Sequence, residues 1–254
     1  MRHTTQKPRG RASTTPQLSL PPPFELVVLR EVGDAFSHAV QLAGERGAGT
    51  LVHVGRFDLA EFAVVLEPDE PLLTARRAFY AGMLALTDAL SVHAPPDKPI
   101  TIGWPDAVRI DGGLVGGGRL AWPEGAKEDE VPDWLVFGAM IRIVAMGATE
   151  SGLHPLLSAL ADEGFEDVGA GRLAESFARH LMVAIDGWQA EGFAVIAEPY
   201  LKSVDRAKTA LHALGENGDL LEKWPGKSTP DRRSLKAALQ TASWLDTDTG
   251  GPRS

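Results

Sequence analysis

Two helical stripes separated by a run of short strands set the limits on what this chain can fold into. After Pro71, the residues Leu72, Ala75, Phe79, Met83, Leu86 and Leu90 recur at intervals of three or four, with Arg76, Arg77 and Asp88 off the line. Over residues 173–188, Leu173, Phe177, Leu181, Ile185 and Trp188 share one face in the same way. Such spacing buries one side of a helix against another layer and leaves the other side to water. The Arg76-Arg77 pair therefore reads as a solvated helix face. Between the stripes, residues 98–120 change period: Ile100-Thr101-Ile102, Val108-Arg109-Ile110 and Leu114-Val115 are separated by Pro and Gly turns. Gly112-Gly113 predicts a tight hairpin, because paired glycines accept positive φ at both central positions. Long helices combined with local hairpins indicate an α+β fold with a mixed or antiparallel sheet flanked by helices, expected on one face.

The flanking segments extend this reading. The run 24–29 follows Pro21-Pro22-Pro23 and predicts an opening strand. Asp34 is placed to cap a helix carrying Phe36, Val40 and Ala43 that ends near Gly47 and Gly49. Strands are predicted over 50–54, 60–66 and 134–144, the last one after an acidic loop at 123–133. Beyond Tyr200-Leu201 the sequence turns polar, with short apolar pieces at Leu220-Leu221 and Ser243-Trp244-Leu245. The expected division is a disordered tail over 1–21, a main domain over 22–200 and a small β-type domain over 201–254.

Composition removes whole classes of chemistry. There is no cysteine, which excludes disulfides, thiolate metal sites and cysteine nucleophiles. The net charge of −9 opposes broad binding to nucleic acid, which needs cationic side chains to replace condensed counterions. No apolar run is long enough to span a bilayer, and neither a membrane partner nor export is expected; the expected setting is cytoplasmic. The first twenty residues hold Arg2, Lys7, Arg9 and Arg11 and no acid, but no apolar stripe. The seven histidines show no metal-type spacing, so no metal site is expected. His53, alone on a strand, reads as a structural histidine.

One constellation carries chemistry. Trp104-Pro105-Asp106 is followed by Gly113-Leu114-Val115-Gly116-Gly117. This resembles the pattern Trp-Pro-Asn-Asp, then Lys-Leu-Ala-Gly, of the biotin/lipoate A/B protein ligase family, with matching spacing and element order. The stretch from Gly192 to Tyr200-Leu201 and on to Gly215–Leu221 is similar to the start of that family's C-terminal β module. The resemblance implies a class II synthetase-related fold. It also implies a two-step activity, in which a small carboxylic acid such as biotin, lipoate or octanoate is adenylated with ATP and Mg and passed to a lysine of a carrier-domain protein.

The same resemblance assigns a ligand site to Gly55, Arg56, Trp104, Pro105, Asp106, Gly116, Gly117 and Gly118, with Arg56, Asp106 and Arg142 as catalytic candidates. Several family positions are altered. The Gly/Arg loop is reduced to Gly55-Arg56-Phe57-Asp58, Leu114 stands where the family has lysine, and Asp106-Ala107 replaces Asn-Asp. On the late strand, Gly138-Ala139-Met140-Ile141-Arg142 stands where Gly-Ile-Asn is expected. Negative charge developing on phosphate oxygens demands cations nearby. Arg56, Arg109, Arg119 and Arg142 are candidates to supply that charge, and Asp106 is a candidate to hold a magnesium ion. Gly116-Gly117-Gly118 fits either close approach of a ligand or a bulged strand end. Three functions stay open: a ligase, a catalytically disabled relative that binds an acyl group, carrier or partner, and an acyl transferase using a pre-activated donor.

Overall fold

The computed structural model describes residues 18–30, 33–146, 157–205 and 209–253. The chain opens with β1 (Glu25–Leu29), α1 (Ala35–Arg46), β2 (Thr50–Val54) and β3 (Leu59–Leu66). α1 starts where Asp34 adopts an extended backbone and its carboxylate accepts the Ser37 N–H at 3.0 Å. A second helical N–H, that of Ala35, donates to the Glu61 carboxylate of β3 at 2.8 Å. Two of the four N–H groups that any helix start leaves unpaired are thus satisfied. Residues 1–17 of the expected tail lie outside the described residues. Leu18 and Leu20 pack against the main core, and the Ser19 N–H donates to Glu175.

The stripe after Pro71 divides into α2 (Leu72–Ala75) and α3 (Ala78–Ser91). At Arg76-Arg77 the backbone bonds tighten to the i→i+3 type, with Phe79 N–H donating to Arg76 O and Tyr80 N–H to Arg77 O. The two arginines are not a solvated face. Arg76 is 2% exposed, pairs with Glu128 across the acidic loop and lies over the Trp122 ring. Arg77 pairs with Glu70 and lies over Trp188 and Phe193. Sequence spacing placed them off the stripe correctly, but the neighbouring loop and helix cover that side as well.

Next come β4 (Ile100–Gly103), β5 (Ala107–Ile110), β6 (Gly113–Ala121) and β7 (Leu135–Arg142). The β5–β6 turn sits one residue earlier than the glycine pair predicts. Asp111 and Gly112 carry the positive φ values, 49° and 85°, because Ile110 pairs with Gly113 and closes a two-residue loop. The seven strands run β1-β2-β3-β7-β6-β5-β4, with β1 parallel to β2 and every other pair antiparallel.

Helices cover both faces of this sheet rather than the expected one. Leu51, Phe62, Val64, Phe137 and Ile141 point to α3 and α4 (Ala170–Glu191), whereas Val52, Val54, Ala63, Val65 and Val136 point to α1. This explains why β2, β3 and β7 read as continuous apolar runs, the pattern of strands with no watery side. Each fully buried Phe or Leu contributes about 1.5–3 kcal/mol, so the central strands supply the bulk of the core. On α3, Gly82 has no side chain because a Cβ there would meet the Phe137 ring.

α5 (Ala194–Ser203) follows α4, and β8 (Leu211–Leu214), β9 (Leu220–Lys223) and β10 (Asp231–Arg233) form a separate antiparallel sheet. α6 (Leu235–Ala238) comes next, with its first N–H donating to Asp219 at 2.9 Å. The small sheet is joined to the main core by Tyr80 of α3, whose hydroxyl donates to Gly218 O. The architecture is α+β, a mixed sheet flanked by helices with a small three-stranded sheet behind it.

Candidate functional site

The β4–β5 turn divides the expected site residues between two sides of the sheet. The Trp104–Pro105 peptide bond is cis. Trp104 Nε1–H donates to the Tyr80 hydroxyl at 3.2 Å, and the Arg233 guanidinium lies 4.4 Å from the Trp104 ring centre. Tyr200 of α5 donates its hydroxyl to Pro105 O at 2.7 Å. Trp104 and Pro105 are thereby tied to α3, α5 and the small sheet. Burial pushes both tyrosines above their ordinary pKa, which keeps their hydroxyls as donors.

Asp106 engages the opposite face. The pairing of β3, β7, β6 and β5 lines up Glu61, Met140, Gly117 and Ala107 across that face. Leu59 is paired with Arg142 at the edge, and Leu114 joins the same apolar cluster. The register shifts between Val108 and Arg109, a bulge that bends the glycine-rich strand. At Gly116, where φ is 148°, a Cβ would strike the Met140 carbonyl. At Gly117 it would strike the Asp106 carbonyl and the Trp244 ring, and at Gly118 the Met83 sulfur. Gly118 N–H also donates to Asp106 O at 3.0 Å. The three glycines therefore give room to neighbouring protein groups on both sides of β6.

The group filling the Asp106 face is the chain's own segment 242–253. Ser243 N–H donates to Asp106 Oδ2 at 2.7 Å, and the Ser243 hydroxyl donates to Oδ1. Trp244 is fully buried against Leu59, Ala107, Leu114 and Met140, and its Nε1–H donates to Gly118 O at 3.0 Å. The segment then folds on itself: Asp246 N–H donates to Gly251 O and Arg253 N–H to Trp244 O. Arg142 donates to Pro252 O at 2.8 Å, Arg253 O at 3.0 Å and Ser158 O at 3.2 Å. Burial raises the Asp106 carboxyl pKa, while the two Ser243 donors act in the opposite direction.

The remaining cations border this face with partners of their own. Arg56 and Gly55 lie in the β2–β3 turn, and Arg56 holds Asp58 through two bonds of 3.0 and 2.7 Å. That pairing lowers the Asp58 pKa. Arg119 reaches Asp34 at the start of α1 and stacks 4.1 Å from the Phe36 ring centre. Glu61 sits in the same group, its pKa raised by burial first and by Asp34 as well. Arg109 is turned to Gly112 O within its own hairpin. An open cleft of about 440 Å³ between the β3–α2 connection and α4, lined by Glu67, Glu70, Ala78, Leu135, Ile185 and Trp188, shares no residue with this face. Among the described residues no group of three or more His, Asp or Glu side chains is placed to hold a metal ion. No helix among them is long and apolar enough to cross a membrane.

The expected site residues Asp106, Gly117, Gly118 and Arg142 come together, Asp34 joins Arg119 from its expected place as a helix cap, and Ser243, Trp244 and Glu61 had not been expected there. The only hint of Trp244 was a lone Trp-Leu pair inside a polar stretch.

With this geometry in hand, comparison with known proteins is decisive. Residues 20–202 match the biotin/lipoate A/B protein ligase family. The chain belongs to that family. It is 29% identical over 177 residues to a biotin–[acetyl-CoA-carboxylase] ligase of Paracoccus denitrificans, a match spanning 64% of this chain and 66% of that protein's length. Among solved structures, a biotin protein ligase-like protein of unknown function from Silicibacter sp. TM1040 superposes with a TM-score of 0.75 at 28% identity. That superposition covers 88% of this chain and 99% of the other. The Aquifex aeolicus biotin protein ligase in complex with biotin and ATP superposes with a TM-score of 0.61 at 15% identity, covering 82% and 94%, which establishes the fold. The chain is biotin-protein-ligase-like in sequence and architecture.

The family reading makes the departures legible. Leu114, where the resemblance expects a lysine, is 6% exposed and packed in an apolar cluster under Trp244. The turn Gly55–Asp58, where the resemblance expects a Gly/Arg loop, has its arginine holding Asp58. Arg142 is spent on backbone carbonyls. In this arrangement the residues do not fit a magnesium nucleotide: Arg56, Arg119 and Arg142 are engaged by protein groups, and both Asp106 carboxylate oxygens accept from Ser243.

Proposed function

We propose that this protein is a catalytically disabled member of its family that holds a small carboxylic acid (biotin, lipoate or octanoate) or an acyl group. It would do so at the sheet face beside Asp106 without activating the acid with ATP. The observation that carries this reading is Leu114, an apolar side chain buried where the family's lysine stands. A leucine cannot donate to a carboxylate or to an α-phosphate. The protein would then serve as an acyl-, carrier- or partner-binding module, with Gly55, Arg56, Asp106, Gly116, Gly117 and Gly118 as the inherited site on that face and Trp104 and Pro105 supporting it from the other side of the β4–β5 turn. The proposed setting is cytoplasmic, without nucleic acid or membrane as partner, and with a ligase-like domain over 22–200 followed by the small β-type domain over 201–254.

The test is pyrophosphate exchange into ATP at high protein concentration with biotin, lipoate and octanoate, alongside calorimetry of ATP. Absence of exchange and of ATP binding is expected. Tight ATP binding that Arg56→Ala abolishes overturns the proposal in favour of an active ligase. That second reading, acylation of a carrier lysine, draws support from one arrangement: Arg56 and Arg142 border the same face, and Arg142 is held by neutral carbonyls alone among the hydrogen bonds described.

A further inference from the structure

The segment Ser243–Arg253 meets the inherited pocket with the groups of a small-molecule ligand. A flat ring lies over β6 where Gly117 offers no Cβ, and its N–H reaches a strand carbonyl, Gly118 O. Two hydrogen-bond donors from one residue, the Ser243 N–H and hydroxyl, face the buried Asp106 carboxylate. Two neighbouring carbonyl oxygens, those of Pro252 and Arg253, accept from one nitrogen of the Arg142 guanidinium, Nη2, at 2.8 and 3.0 Å. A carboxylate or acyl carbonyl can present oxygens to the same nitrogen. A donor pair in front of a carboxylate is what an amide or ureido group presents.

We infer that Ser243–Arg253 is an intramolecular stand-in for the ligand, a displaceable latch that closes the pocket until a small acid takes its place. The displacing ligand has a compact apolar ring with N–H donors for Asp106 and a carboxylate or acyl carbonyl for Arg142. The inference rests on the acid-binding reading proposed above. Its separate support is the way the segment is attached. Only Trp244 and Pro252 are buried within 243–253, and the tip from Thr247 to Gly250 is exposed. The hairpin's internal bonds, Asp246 N–H to Gly251 O and Arg253 N–H to Trp244 O, do not involve the sheet. The latch is thus a self-closed unit held by the Trp244 ring, by Leu245 and Ala242 packed beside it, by the buried Pro252 and by a few hydrogen bonds, and its ordering opposes docking.

The experiment uses the full chain and follows the latch and the ligand independently. Hydrogen exchange at the Ser243 amide, which bonds Asp106 on the sheet, reports release, with β6 and β7 amides as the reference. Calorimetry reports binding of biotin, whose ring carries N–H donors, with lipoate and octanoate, which have none, for comparison. A bound acid should speed exchange at the Ser243 amide at least tenfold and leave the sheet unchanged. Trp244→Ala should bind the same acid at least tenfold more tightly than the parent chain. If Trp244→Ala does not fold, Ser243→Ala makes the same comparison with the ring in place, and a tightening of at least threefold is expected. Acid binding while the Ser243 amide stays protected overturns the latch and leaves the acid-binding reading intact. A variant with a freely exchanging Ser243 amide that binds none of the three acids overturns the acid-binding reading and the stand-in with it, leaving only a loosely docked hairpin.

Discussion

Leu114→Lys places a lysine where the resemblance expects one and asks whether the cluster beneath Trp244 is dry. Leu114 is 6% exposed and shares its cluster with Leu59, Ala107, Met140 and Trp244. A lysine there must either carry its charge into apolar surroundings or lose its proton. Since each pKa unit is worth about 1.36 kcal/mol, neutralising a lysine with a pKa of about 10.4 costs about 4–5 kcal/mol at pH 7. At about 2–4 °C per kcal/mol for a domain of this size, the melting temperature should fall by about 8–20 °C. Leu114→Met keeps volume and apolarity and should lose less than about 1.5 kcal/mol. The pH supplies a second signature. The folded-state pKa of the new lysine is lowered, so its penalty is largest at low pH and shrinks as pH rises toward the unfolded value. The gap between Leu114→Lys and Leu114→Met should narrow by about 2–3 kcal/mol between pH 7 and pH 9. Thermal unfolding followed by circular dichroism at both pH values measures all of this. If Leu114→Lys melts within about 3 °C of Leu114→Met at pH 7, the ammonium reaches water or a carboxylate. The pocket would then be open, and the argument for a buried, non-catalytic Leu114 position would fail.

Two further outcomes follow from contacts around the site. Tyr80→Phe removes the hydroxyl that donates to Gly218 O and accepts from Trp104 Nε1; leaving both groups unpaired should cost about 1–3 kcal/mol in urea unfolding, and a loss below about 0.5 kcal/mol would show that Tyr80 does not join the small sheet to the core. Glu128, bonded by Arg76 and by Lys236, has its carboxyl pKa lowered from 4.5 to about 2. A lowered acid pKa contributes stability that is present above the unfolded value and lost as pH falls toward the folded one, here between about 4.5 and about 2. Because Glu128 is 38% exposed on its side chain, the amount should be about 1 kcal/mol or less after solvent screening. Glu128→Gln should flatten that part of the stability–pH curve, and an unchanged slope would refute the role of the Arg76–Glu128–Lys236 link.

Most of the main sheet and its helices was readable along the chain. Asp34 capping, the strand pairs on either side of the Gly55–Asp58 turn, and the helix ending at Ser91 all rest on interactions within a few residues, which local pattern encodes. The Trp104-Pro105-Asp106 and Gly116-Gly117 spacing likewise identified the family, because a hairpin brings those positions together by geometry alone. The second helical layer was harder to see. Apolar residues at successive positions of β3 and β7 do show that both faces are covered, but not by which element, and only the folded chain places α1 there.

What occupies the site was beyond local pattern altogether. The bond from Trp244 to Gly118 spans 126 residues and those from Ser243 to Asp106 span 137. Nothing in the spacing of Ser243-Trp244-Leu245 distinguishes a ring destined for a pocket from one in a small β domain. A residue's period depends on its nearest neighbours, whereas its burial depends on whichever surface the rest of the chain leaves uncovered. Here that surface was the sheet face beside Asp106 and Leu114, and tertiary packing decided that the chain would cover it with its own tryptophan.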